Sequence, residues 1–294
     1  MPDSARQVFA DHGELLFSIV YNMLGSVADT EDVLQETWVS WSSREQAPIE
    51  HHGAYLVRIA VNQALTHQST LRRRRESYVG SWLPEPIVAS ADGAEKVLHA
   101  ESVSMAMLVV LESLTPLERA VFILHEVFAY AHTEIAAMID RSPAAVRRLA
   151  HRARGHVRAR RPRNRVEPEL QQQVTARFVA AAFGGDLDAL MELLTPEVTL
   201  WSDGGGRSAA AGPRPIHGRD NVARVLVASS SRPIEGLDIQ YREVNGDPSA
   251  VVFVENAPFA VMVVDLTPDA EQVRDVYVVS NPDKLSRIPE TTAE

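Results

Sequence analysis

The hydrophobic period of this 294-residue chain changes once, and that change constrains its fold more than any other feature. Over residues 8–71, and again from 96 to about 161, apolar side chains recur at three- and four-residue spacing, as in amphipathic helices. Between these stretches, residues 76–94 carry Gly80, Pro84, Pro86 and Gly93 and read as a linker. Beyond Pro162 and Pro168, two helical stretches (169–183 and 186–194) precede runs of alternating polarity at 198–202, 238–244, 250–255, 259–266 and 273–280. The expected fold is therefore multidomain: two all-α domains followed by an α+β domain. The expected boundaries are 5–78, a linker at 79–95, 96–163, 167–285, and a tail at 286–294.

Composition narrows the chemistry. With no cysteine there is no disulfide framework, thiolate nucleophile or Cys-based zinc site. Hydrophobic residues at 45% and charged residues at 23% suit a folded chain rather than a disordered one. No stretch approaches the roughly 20 apolar residues of a membrane span. The start Met1-Pro2-Asp3-Ser4 lacks the blocks of a signal peptide, so a cytoplasmic protein with no membrane partner is expected.

The net charge of -10 is unevenly spread: residues 1–166 balance, and the whole excess lies in 167–294. Within the first part, residues 141–165 carry 10 arginines and no acid, the footprint of a phosphate-binding surface. Start signals frame that block. Thr115-Pro116-Leu117-Glu118 places a cap, a first-turn proline and a third-position glutamate at a helix start. Thr133 can cap a short helix to Ile139, and Ser142-Pro143 opens a longer helix to about Ala159. Its inner face would be Val146, Leu149 and Ala153. The arrangement is that of a helix-turn-helix, and the candidate DNA contacts are Arg141, Ser142, Ala144, Ala145, Arg147, Arg148, His151, Arg152 and Arg154. A generic helical hairpin with a basic face is the plainer alternative.

Two features lie nearer the amino terminus. Asp29, Asp32 and Glu36 fall on one stripe of a helix, which suits either a protein-docking surface or a solvated face. The helix through Tyr55, Arg58 and Asn62 leads into Arg72-Arg73-Arg74-Arg75, a run suited to backbone phosphates.

Taken in order, these motifs resemble an extracytoplasmic-function sigma factor. The residues are the acidic D-x-E-D-x-x-Q-E helix, Y-L-x-R-I-A-x-N, the arginine run, T-P-x-E-R, and E-I-A…S-P-A-A-V-R…H-R-A-R. Three further segments, Tyr78–Pro86, Asp203-Gly204-Gly205-Gly206-Arg207 and Asn281-Pro282-Asp283-Lys284-Leu285, are similar to signatures of the subgroup with a fused SnoaL-like carboxy-terminal domain. The resemblance implies that 5–78 is sigma region 2, 96–163 is region 4, and 167–285 is a SnoaL-like (NTF2-like) cone.

It also implies partners. Asp29, Glu31, Asp32, Gln35 and Glu36 would meet the β′ clamp of core RNA polymerase, with a second contact at the β flap. Tyr55, Arg58, Asn62 and Arg72 to Arg75 would engage the minus-ten element of promoter DNA, and the helix-turn-helix the minus-thirty-five element. Trp82, Leu83, Pro84, Glu85 and Pro86 would form a regulatory contact with Asp203 to Arg207 and Asn281 to Leu285. The sequence departs from the family at Thr66 and at Gln68-Ser69, and carries Arg207 where lysine is usual.

The cone fold is shared with isomerases and cyclases, and it leaves room for a small-molecule ligand. Asp203, His217, Asp265 and Tyr277 are acid-base candidates by residue type alone, and no spacing pairs them. No catalytic residue, cofactor or metal is therefore expected; adjacent His51 and His52 lack the spacing of a helical metal pair. The alternatives are a ligand-sensing helix-turn-helix regulator, which needs no acidic docking stripe, and an isomerase or cyclase with a DNA-binding appendage.

Overall fold

The computed structural model describes residues 2–43, 51–89, 103–160, 166–207, 212–230 and 234–290. The chain forms two compact units. The first contains α1 (Pro2–Asp11), α2 (Gly13–Leu24), α3 (Val27–Ser42), α4 (His52–Glu76), most of α5 (Met105–Leu111), α6 (Pro116–Phe122), α7 (His132–Met138) and α8 (Pro143–Arg160). The helices α2, α3 and α4 pack on one another and bury Leu16, Ile19, Val20, Val33, Leu56, Val57, Ala60 and Val61. Deleting such side chains typically costs about 2–5 kcal/mol each.

Local chemistry starts the later helices. Thr115 caps α6: its Oγ1 accepts from the Glu118 amide at 3.4 Å, and the Glu118 carboxylate accepts from the Thr115 amide at 3.2 Å. A π-helical turn, Ile123–Val127, follows α6. Ser142 caps α8 as expected, accepting from the Ala145 amide at 3.2 Å. Val146, Leu149 and Ala153 are buried, as their spacing required. The expected Thr133 cap is corrected: α7 begins two residues earlier, at His132, with Ala131 in the cap position. The physical reason is Glu134, whose carboxylate accepts from the Ala131 amide at 2.7 Å and fixes Ala131 as the cap residue.

The second unit holds Ser77–Ala89 of the linker and the chain from Val166 onward. Two helices, α9 (Pro168–Gly184) and α10 (Leu187–Leu193), lead into β1 (Leu194–Asp203) and β2 (Ile216–His217). A third helix, α11 (Arg219–Ser230), was not anticipated and separates β2 from β3 (Leu237–Val244). Then come β4 (Asp247–Val254), β5 (Ala257–Leu266), β6 (Val273–Val279) and a short α12 (Pro282–Leu285).

The sheet order is β2-β1-β6-β5-β4-β3, with β1 parallel to β6 and every other pair antiparallel. Asn245-Gly246 turns β3 into β4 with both residues at positive φ (51° and 80°), the tight hairpin turn that matches strand twist. One sheet face carries Leu200, Ala250, Met262, Val264 and Val276, which join Phe178, Leu190 and Val222 of the helices in an apolar core. Helices on one face of a curved mixed sheet give the α+β cone expected of this half.

The linker belongs to this sheet. Val88 bridges Val244 antiparallel, Ala89 donates its amide to the Glu243 carbonyl (2.9 Å), and Asn245 donates to Ile87 (2.9 Å). A segment read from glycine and proline content as a spacer is thus tied to the end of an edge strand, which protects that edge.

Candidate functional site

The orientation of α8 is set by its apolar side. Burial of Val146, Leu149 and Ala153 turns Arg147, Arg148 and His151 outward, where with Ala144 and Arg152 they line a shallow groove. Arg141, Ser142 and Ala144 are exposed beside them, and Ala145 is half-buried. Two of the expected DNA contacts have partners within the unit. Arg152 donates to Glu118 at 2.7 Å, and Arg154 to Glu126 at 3.2 Å. Burial alone would push the Glu118 carboxyl up, but bonds from Arg152 and Thr115 outweigh it and hold it below its usual range.

Behind this helix, the His125 and His132 rings lie 4.1 Å apart between centroids. Burial, reinforced by His125, Arg154 and Arg147 and opposed by Glu126, holds His132 below its ordinary 6.5. The folded chain therefore takes up a proton at His132 at lower pH than the unfolded chain does, so the associated stability is present above pH 6.5 and is lost as pH falls through the depressed value. Thermal melts from pH 8 to about 5 are expected to show a decline below about 6.5 that is shallower in His132→Gln. Equal slopes in both proteins would contradict this assignment.

On α3, Asp32, Gln35 and Glu36 are exposed and share a groove with Val39, which is 57% exposed, and with Gln63 and His67 of α4. Glu36 pairs with His67 at 3.1 Å; Asp29 is half-buried and pairs with Arg74 at 3.5 Å; Glu31 is exposed. An exposed acidic row beside a solvent-facing valine has the anatomy of a protein contact: an apolar spot with a charged rim.

The next groove along α4 is lined by Ser40, Tyr55, Arg58, Ile59, Asn62, Gln63 and Thr66. Tyr55 lies against Trp41, with ring centroids 6.1 Å apart. Asn62 donates from Nδ2 to the carbonyls of Arg58 (2.7 Å) and Met138 (2.8 Å). Of the arginine run, Arg72, Arg73 and Arg74 are exposed. Arg75 turns inward to Glu112 and to the Leu24 carbonyl (2.6 Å), and burial draws its guanidinium down to about 10.

The second unit gathers the remaining site residues around Asp203, which is fully buried. Its carboxylate accepts from the Tyr78 hydroxyl (2.6 Å), the Leu83 amide (2.8 Å) and the Gly205 amide (3.1 Å), and pairs with Lys284 Nζ (2.7 Å). Lys284 also donates to the Leu83 carbonyl and sits 4.3 Å from the centroid of the Trp82 ring. Asn281 caps α12 through the Asp283 amide and donates to the Tyr78 hydroxyl at 2.8 Å. Burial first, and then the bond to Asp203, push the Tyr78 hydroxyl up, so it remains a proton donor.

Leu83, Pro84, Glu85, Pro86 and Leu285 are buried, Glu85 pairs with Arg287 at 3.6 Å, and Arg207 pairs with Asp283. The glycines permit a close approach. Gly205 and Gly206 have φ of 60° and 72°, and a Cβ on Gly205 would lie 2.6 Å from the Asn281 side chain. Two segments far apart in sequence therefore form one polar clamp on the linker.

Comparison with known proteins places the chain in a family. A Sigma-70 region 2 model matches residues 8–75, and a Sigma-70 region 4 model matches residues 104–157. The ECF RNA polymerase sigma factor SigJ of Mycobacterium tuberculosis is 34% identical over 287 residues, covering 93% of this chain and 91% of SigJ. The chain belongs to the extracytoplasmic-function sigma factor family. The probable ECF sigma factor SigI of the same species is 29% identical, covering 96% of this chain and 95% of that protein. The crystal structure of SigJ superposes with a TM-score of 0.77 and 30% identity, covering 96% of this chain and 99% of SigJ.

Gln68, a departure from the family pattern, donates to the Met23 carbonyl at 2.6 Å, and Thr66 and Ser69 bond back to carbonyls of their own helix. The acid-base candidates of this sigma factor share one sheet face. Pairing of Thr199 with His217, Trp201 with Tyr277, and Val263 with Tyr277 puts Asp203, His217, Asp265 and Tyr277 on the sheet face opposite the helix-covered core. Asp265 is paired with Arg274, and His217 meets Thr199 at 3.1 Å. Among the described residues no cluster of three or more His, Asp or Glu could hold a metal, and no helix is long and apolar enough to cross a membrane.

Proposed function

We propose that this sigma factor docks on core RNA polymerase through Asp29, Glu31, Asp32, Gln35 and Glu36. In this reading the α4 groove with the neighbouring arginines opens the minus-ten element, and α8 reads the minus-thirty-five element. The observation that carries it is the pairing, in one unit, of an exposed acidic face around Val39 with a helix presenting Arg147 and Arg148 to solvent. A regulator that acted on DNA alone would have no use for the first of these. The domain boundaries proposed are those of the sequence, with the 79–95 linker serving the carboxy-terminal cone.

The clamp around Asp203 supports a regulatory role in cis: by holding the linker, the cone sets how region 2 and region 4 can be presented to a promoter. Its own acidic balance of -10 disfavours direct contact with DNA. Cytoplasmic action, a β-flap contact for region 4 and the absence of catalysis belong to the same proposal.

Binding to sigma-free core polymerase, followed by gel filtration, tests the docking surface. Saturable binding by the full chain and at least a tenfold loss in Asp32→Arg are expected, about 1.4 kcal/mol or more for a reversed interface charge. Equal binding by both proteins would remove the α3 face from the interface.

A further inference from the structure

The carbonyl end of α2 is an unusual socket. A helix leaves its last carbonyls without partners inside the helix, and that end carries partial negative charge. Here three side chains fill it. Gln68 and Arg75 of α4 donate to the carbonyls of Met23 (2.6 Å) and Leu24 (2.6 Å), and Arg119 of α6 donates from Nε to the carbonyl of Asn22 (2.9 Å). Arg119 is only 3% exposed and Asn22 is fully buried, so this is an interior contact.

Arg119 comes from region 4, whereas α2 and α4 belong to region 2. Glu112, just after α5, completes the join by pairing with both Arg75 and Arg119. A further link lies along α4, where Asn62 donates to the carbonyl of Met138 at the end of α7. The side chains of Asn62 and Arg75 are thus engaged with region 4.

We propose that Glu112, Arg119 and the carbonyl end of α2 form a latch that holds regions 2 and 4 of the free chain together, and that opening it releases Asn62 and Arg75 to promoter DNA. The assignment of those two residues to DNA rests on the function proposed above; the latch itself does not. One carboxylate between two guanidiniums, one of them interior, makes Glu112 the sensitive point. Removing its charge takes from Arg75 and Arg119 the carboxylate they share, at a site where Arg119 is buried.

The cysteine-free chain allows clean site-directed labelling: spin labels at Thr70→Cys in α4 and Ala137→Cys in α7, both exposed, report the separation of the two regions. The free protein is expected to give one short distance that lengthens in Glu112→Gln and on adding core RNA polymerase. Because apparent affinity scales with the competent fraction, Glu112→Gln is also expected to bind promoter DNA about 3- to 10-fold more tightly. A long or broad distance in the free wild type, or an unchanged short distance in Glu112→Gln, overturns the latch. A longer distance with unchanged promoter affinity supports the latch and overturns the assignment of Asn62 and Arg75 to DNA. If Glu112→Gln does not fold, the wild-type distance with and without polymerase decides: lengthening supports the latch, and no change overturns it.

Discussion

Replacing Asp203 by asparagine is expected to destabilise the carboxy-terminal unit by about 3–5 kcal/mol, the range for removing one partner of a buried ion pair. The carboxylate is fully buried and serves four donors, and its loss takes the counter-charge from the buried Lys284 ammonium, which also meets the Leu83 carbonyl and the rings of Tyr78 and Trp82. Lys284→Met should cost a similar amount by stranding the carboxylate. The double variant Asp203→Asn with Lys284→Met is expected to recover much of the loss, because neither charge is then unpaired. Denaturant unfolding of the four proteins completes the cycle, and strict additivity would show that the two groups do not sense each other. Gly205→Ala should resemble the single variants, since its new methyl group meets Asn281 at 2.6 Å and its backbone has a φ of 60°.

Promoter binding should respond most to the exposed arginines of α8. Arg147→Ala and Arg148→Ala are each expected to weaken binding to the upstream element by about 1–3 kcal/mol if they reach base edges. A phosphate contact would instead give a smaller loss, uniform across sequences, with a salt slope reduced by about one. Affinity for core polymerase should not change. Arg152→Ala carries a different signature, because its guanidinium is 2.7 Å from Glu118. It should lower the melting temperature as well as DNA affinity, since Glu118 also completes the α6 cap. Titrations at two salt concentrations separate these cases, and unaltered promoter affinity in both Arg147→Ala and Arg148→Ala would remove α8 as the reading helix.

Helix starts were legible because their chemistry is local. Thr115 with Glu118, and Ser142 ahead of Pro143, satisfy amides three residues away, and both caps form as spaced. Where two local signals competed, as at Ala131 and Thr133, the glutamate outweighed the hydroxyl. The helix α11 was missed because only Val222, Ala223 and Leu226 of its residues are buried, too few to write a clear period between two glycine- and proline-bearing stretches.

The clamp and the latch lie beyond local reading for a different reason. Tyr78 and Asp203 are 125 residues apart, and Arg75 and Glu112 are 37 apart, so nothing in either neighbourhood names the partner. Resemblance to the family singled out the segments of the clamp. Their convergence on one buried carboxylate needed the structure. For the glycine loop, residue type alone allowed a flexible turn or a close contact, and the approach of Asn281 decides for contact.

The most direct measurement is run-off transcription by sigma-free core polymerase from a promoter selected with the purified full chain. The account predicts transcripts that start at a fixed distance from the selected elements, appear only when the chain is added, and are lost with Asp32→Arg. Selection of a DNA sequence by the chain alone, with no polymerase binding and no transcript, would contradict it and identify the protein as a DNA-binding regulator that acts without joining the enzyme.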